Sequence, residues 1–148
     1  MKEVRGDSMA GLLAPGQSIA VDENYFACHA PARGDLVEID LAPGVNPLVK
    51  RIGVVPGDRF RLAPARKAGG FVLEVNGAAL RAPGGAPYLF DGKRREMIAL
   101  YESSFGGVMP ADTYFVFGSI PDGSRDSGQF GPVRRERLVG KVVRRRGR

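Results

Sequence analysis

Apolar residues along this chain recur mostly at every second position, in short runs broken by glycine and proline. Ser18-Ile19-Ala20-Val21-Asp22, Leu36-Val37-Glu38-Ile39-Asp40 and Leu48-Val49-Lys50-Arg51-Ile52 each read as half-buried strands. Alternation of this kind places one set of side chains on one face of a pleated sheet. Arg59 to Leu62, Tyr114-Phe115-Val116-Phe117 and Arg137 to Val143 predict three more strands. Phe71-Val72-Leu73-Glu74-Val75 runs into Asn76-Gly77, a pair that accepts the positive φ angles of a two-residue hairpin turn. Turns are marked by Pro15-Gly16, Ala32-Arg33-Gly34-Asp35 and Pro56-Gly57-Asp58. Tyr25 and Phe26 are expected to continue an apolar surface. A short helix is expected only over Glu96 to Ser103. The predicted fold is therefore mostly β. Residues 1–62 and 111–148 are expected to form a core and 63–110 a small inserted β-rich lobe, all within one continuous domain.

Composition agrees with that class. The chain has 148 residues, enough for one domain with its own core, and 43% of them are hydrophobic against 26% charged. The counts of 21 glycines and 11 prolines favour a turn-rich β protein over a helical one. One cysteine, Cys28, excludes an internal disulfide framework and any cysteine-rich zinc site. One histidine, His29, excludes a multi-histidine metal site, and its neighbours Cys28 and Pro31 suit a surface turn better than a catalytic triad.

The formal net charge of +6 is uneven. Residues 134–148 hold eight Lys/Arg against Glu136 alone, while the rest of the chain carries 14 basic and 15 acidic groups. Such a basic end could meet an anionic lipid surface. Nucleic acid is not expected as a partner, because basic residues are not interleaved with aromatics across a face. No stretch approaches the roughly 18 apolar residues that span a bilayer. Seven residues precede Ser8, so neither a cleavable signal nor an anchor is expected upstream of it.

Three stretches carry candidate chemistry. Gly6-Asp7-Ser8-Met9 offers a serine in a turn-forming neighbourhood. Lys50-Arg51-Ile52-Gly53-Val54-Val55-Pro56-Gly57-Asp58 places a lysine in an apolar strand before a tight turn. Gly118 to Ser127, leading to Phe130-Gly131-Pro132-Val133, is the third. A serine hydroxyl is a poor nucleophile until a base takes its proton. A lysine can be that base only when its amine is neutral, and burial among apolar side chains favours the neutral form. Lys50 has Leu48, Val49, Ile52, Val54 and Val55 around it, but it lies 42 residues from Ser8, so the fold must bring the two together.

In this order, with Arg33-Gly34-Asp35-Leu36-Val37 as a further box, the three stretches resemble the signature boxes of the type I signal peptidases. The resemblance implies a signal-peptidase-like antiparallel β catalytic core. It implies a serine endopeptidase in which Ser8 is the nucleophile and Lys50 the general base, with Gly6 and Met9 supporting the nucleophile. Ser124 falls on the serine that orients the lysine, and Asp126 on a structural aspartate. No metal or cofactor is implied. Substrates would be secretory preproteins with small residues at the first and third positions before the cut. Association with the cell membrane is expected, with the catalytic domain on the extracytoplasmic side.

Two departures from the usual boxes matter. Gly6 stands where a serine often completes the oxyanion hole, so backbone N–H groups would have to serve. Gly128 stands where an arginine usually follows Asp-Ser, so the ion pair to Asp126 is either missing or supplied elsewhere, with Arg125 a candidate. Three alternatives remain open: a conjugation or pilin-processing peptidase of the same family, a self-cleaving SOS-repressor-type Ser/Lys peptidase, and an inactive β module that binds through its basic end.

Overall fold

The computed structural model describes residues 2–3, 18–66, 69–119 and 125–146. Its strands are β1 (Lys2–Glu3), β2 (Ser18–Asp22), β3 (Leu36–Ile39), β4 (Leu48–Val54), β5 (Phe60–Pro64), β6 (Phe71–Val75), β7 (Ala78–Ala79), β8 (Leu89–Phe90), β9 (Thr113–Phe117), β10 (Val133–Arg134) and β11 (Leu138–Arg146). The helices are α1 (Tyr25–Cys28), α2 (Gly92–Phe105) and α3 (Ser127–Phe130), with a 3-10 turn at Arg135–Arg137. The larger sheet runs β1-β2-β11-β3-β4-β9-β10, and a four-stranded sheet holds β5, β6 and β7 with β8 on the other side of β6. Every pairing between these strands is antiparallel. The expectation of a mostly antiparallel β protein holds.

The period-two pattern explains how one strand can serve two cores. All five residues of β9 are buried. Phe115 and Phe117 point into a cluster with Val54, Phe60, Leu73, Tyr88, Phe90, Ile98 and Met109, between the two sheets and α2. Tyr114 and Val116 point the other way, into Val37, Ile39, Ile52, Val133 and Leu138. Ring pairs such as Phe60–Phe115 at 5.2 Å and Phe90–Phe117 at 5.7 Å bind the smaller sheet to the larger one.

β4 changes allegiance along its length. Its register against β9 shifts between Ile52 and Val54, so Gly53 is the extra residue of a bulge. Before the bulge, Ile52 faces the second cluster; after it, Val54 faces the first. A Cβ on Gly53 would lie 2.8 Å from both Leu80 Cδ2 and Phe117 Cδ2. Gly53→Ala should therefore destabilise the protein by about 2 kcal/mol through overpacking, read as a lower urea midpoint. A variant within about 0.5 kcal/mol of wild type would show that Leu80 yields freely.

Tyr25 and Phe26 open α1, and Phe26 packs against the second cluster. Two expectations need refinement. The helix expected over Glu96–Ser103 runs from Gly92 to Phe105, ending where Gly106 and Gly107 turn back to the carbonyls of Ser103 and Glu102. The basic C-terminal stretch is built into the sheet rather than trailing from it: β11 lies between β2 and β3, with Arg144, Arg145 and Arg146 opposite Ala20, Ile19 and Ser18. Its Leu138 and Val142 are buried, while Val143 is exposed.

Candidate active site

The turn residues of the boxes act first as carpentry. Gly34, at φ 95°, donates its N–H to Ile52 O at 2.8 Å, and Ile52 N–H donates to Asp35 O at 2.9 Å. Asp58 closes the turn after β4, its N–H bonding to Val55 O at 3.0 Å. Its carboxylate accepts from Val55 N–H at 2.9 Å, from Asn76 Nδ2 at 2.9 Å, and from Arg33 Nη1. Arg33 and Asp58 thus tie the start of β3 to the end of β4. The strand between them carries Lys50.

Lys50 stands opposite Val37 on β3 and shares a face of β4 with Ile52. It is 1% exposed. Burial is the main reason its amine is pushed down from the usual 10.5 to about 8; Asp126 opposes that shift, while Arg125 and Arg94 add to it. At pH 7 about one molecule in ten then carries a neutral amine, against about one in three thousand at the ordinary value. An amine in this state can take a proton from a hydroxyl at working pH.

Asp126 is fully buried and is the N-cap of α3, accepting Gly128 N–H at 2.9 Å. Its ion-pair partner is Arg94, on α2, at 2.8 Å from Nη1 and 3.4 Å from Nη2. The expectation that Arg125 would fill this role is therefore corrected among the described residues. A Cβ at position 128 would lie 2.7 Å from Arg94 Cζ. Ser127, also fully buried, accepts the Val116 N–H at 2.8 Å and so fastens the same turn to β9.

Of the residues picked out from the sequence, Lys50 and Asp126 come close enough to act on each other's charge. Ser8, Gly6, Met9 and Ser124 lie outside the described residues. His29 is exposed at the end of α1, its ring stacked on Tyr25 at 4.1 Å and its Nδ1 3.1 Å from Tyr25 O. A local contact of this kind suits the turn role expected of it. Sequence reasoning missed Arg94 and Tyr88. The replacement of arginine by Gly128 was the one signal for the first. Tyr88, a core aromatic whose hydroxyl donates to Gly118 O at 2.5 Å, gave none.

The chain matches the family model for signal peptidase, peptidase S26, over residues 2–145. It is also 30% identical over 142 residues to a signal peptidase I of Bacillus caldolyticus, covering 94% of this chain and 74% of the relative. This chain belongs to the signal peptidase family. It is a peptidase, and its family is one that cleaves signal peptides and is membrane-associated. No helix among the described residues of this signal peptidase is long and apolar enough to cross a membrane.

Proposed function

We propose that this chain is a Ser/Lys-dyad serine endopeptidase that removes N-terminal signal peptides from secretory preproteins, with Ser8 as nucleophile and Lys50 as general base. The observation that carries the reading is a lysine buried to 1% exposure whose amine is held near 8, in the strand that runs into the Pro56-Gly57-Asp58 turn. A structural lysine has little reason to be there: burying an amine that must shed water costs stability unless its neutrality is used. The family match favours signal-peptide removal over self-cleavage of the repressor type, which would use the same Ser/Lys chemistry.

In the proposed reaction neutral Lys50 Nζ takes the proton of Ser8 Oγ as the oxygen attacks the scissile carbonyl. Backbone N–H groups, including that of Ser8, stabilise the oxyanion, since Gly6 brings no hydroxyl. Met9 flanks the nucleophile. Lys50 returns the proton to the departing amine, leaving the signal peptide esterified to Ser8. Lys50 then deprotonates a water, which releases the acyl group and restores the serine. Ser124 orients the Lys50 amine, and Asp126 holds the turn beyond it. Small residues at the first and third positions before the cut define the proposed substrates. Work at the extracytoplasmic membrane surface, with the basic C-terminal stretch meeting anionic lipid, completes the proposal.

A precursor peptide with an Ala-x-Ala site tests it. Wild type should cut after the second alanine, and Ser8→Ala should cut at least about a thousandfold more slowly. Equal cleavage by the two proteins would remove Ser8 from the mechanism.

A further inference from the structure

We propose that Arg94, on α2, is a positioning residue for the lysine base: its guanidinium occupies the space above Gly128 and holds Asp126 beside Lys50, an arginine delivered from another element to a place that a side chain at 128 could have filled. The proposal rests on the reading of Lys50 as the base.

The geometry is specific. The guanidinium reaches both oxygens of the fully buried Asp126 carboxylate, at 2.8 and 3.4 Å, while its Cζ sits 5.3 Å from the centre of the Phe90 ring. Position 128 has room for no more than a hydrogen, because a Cβ there would fall 2.7 Å from Arg94 Cζ and 2.8 Å from its Nη1. Three residues on, a Cβ at Gly131 would lie 3.0 Å from Tyr101 Cε2 and 3.5 Å from Met97 Sδ. Arg94, Met97 and Tyr101 share one face of α2. The two glycines of the 126–131 turn thus let that face come down directly on it, with Arg94 as the contact that carries charge.

The same side of the molecule holds the other end of the segment. Tyr88 donates to Gly118 O at 2.5 Å, so Gly118 and Asp126 are both fastened by residues from 88–94. Among the described residues, the charged groups that act on Lys50 are Asp126, Arg125 and Arg94, and β3 presents apolar Val37 opposite it. Asp126 alone favours the ammonium; the two arginines oppose it. With Asp126 still anchored by the Gly128 N–H at 2.9 Å, loss of the Arg94 charge leaves the carboxylate less compensated and raises the pH at which Lys50 becomes neutral. A contact that merely stiffened the fold would lower activity without moving that pH.

The test follows the Lys50 side chain itself, through the pH dependence of its Cε chemical shift by NMR, together with peptide cleavage. In Arg94→Ala the titration midpoint should rise by about 0.3 of a pH unit, leaving about half as much neutral amine below the midpoint. Cleavage near neutral pH should fall in proportion. The swap Arg94→Ala with Gly128→Arg, which returns a guanidinium to the vacated space, should restore both readouts. An unshifted midpoint in folded Arg94→Ala, or a folded swap that recovers neither, would overturn the proposal. If the alanine variant does not fold, Arg94→Gln carries the test, since it keeps the stem and an N–H donor without charge; the same rise supports the assignment and a wild-type midpoint rejects it. A wild-type protein that cuts nothing while these midpoints move as described defeats the reading of Lys50 as the base, and with it the positioning role, and leaves only the electrostatic coupling of Arg94 to Lys50.

Discussion

Lys50→Met should abolish cleavage and, at the same time, make the folded protein more stable at neutral pH. The loss of activity should be about a thousandfold or more, the usual worth of a positioned base. The gain in stability follows from the same burial. With a folded value of about 8 against 10.5 for the free side chain, the native state binds the proton less readily than the unfolded one. Between those two values the unfolded chain holds a proton that the native state has lost, so stability rises with pH across the window and levels off above it. Below about pH 8 both states are charged, and the folded protein bears the whole penalty, roughly 3 kcal/mol. Methionine matches the lysine stem in length and carries no charge, so the variant should gain up to about 3 kcal/mol at pH 7 and lose the rise between pH 8 and 10.5. Urea denaturation of both proteins at several pH values checks this. A variant no more stable than wild type at pH 7, with the same rise above pH 8, would mean that Lys50 does not sit in the apolar setting described.

The second large effect is expected at Asp126. Replacing it by alanine removes the N-cap of α3 and strips the counter-ion from Arg94, whose side chain is only 19% exposed. An uncompensated, mostly buried cation and a lost cap should together cost about 3 kcal/mol. Asp126→Asn keeps an acceptor for the Gly128 N–H but not the charge, and should cost less. It should also shift the Lys50 titration to lower pH, because the one carboxylate that favours the ammonium is gone while Arg94 and Arg125 remain. That direction is opposite to the one expected on removing Arg94. Matching shifts of the same sign in the two variants would show that neither charge is felt at Lys50.

What the sequence revealed and what it hid have physical causes. Alternating positions gave the strands, and the Asn76-Gly77 pair gave the hairpin, because period two and turn chemistry are local properties. The alternation of β4 also fixed which residues share a face with Lys50. It did not say that the face was covered; only what packs on the sheet, leaving Lys50 1% exposed, decides that. The helix expected from Glu96 misses the first turn of α2 because Lys93, Arg94 and Arg95 bring no apolar periodicity, and Ile98 is the helix's one buried residue. Yet Arg95 lies over the Phe71 ring at 4.1 Å and Arg94 enters the site, so two of those charges have specific partners. In the basic end the strand over Arg137 to Val143 was legible, but charge hid its extension to Arg146 and its place between β2 and β3. Arg94 could not be found from spacing at all, since it lies 32 residues from Asp126 and is joined to it only by the packing of α2 on α3.

The most direct test of the account is the pH dependence of single-turnover cleavage of an Ala-x-Ala precursor peptide by wild type, in detergent. The rate should rise with pH along one ionisation centred near 8, following the neutral fraction of Lys50. The Lys50 Cε titration of the same protein should share that midpoint. A profile centred near the ordinary histidine range of about 6.5, or one that continues to climb to about 10.5, would contradict the assignment of a buried, partly neutral Lys50 as the base.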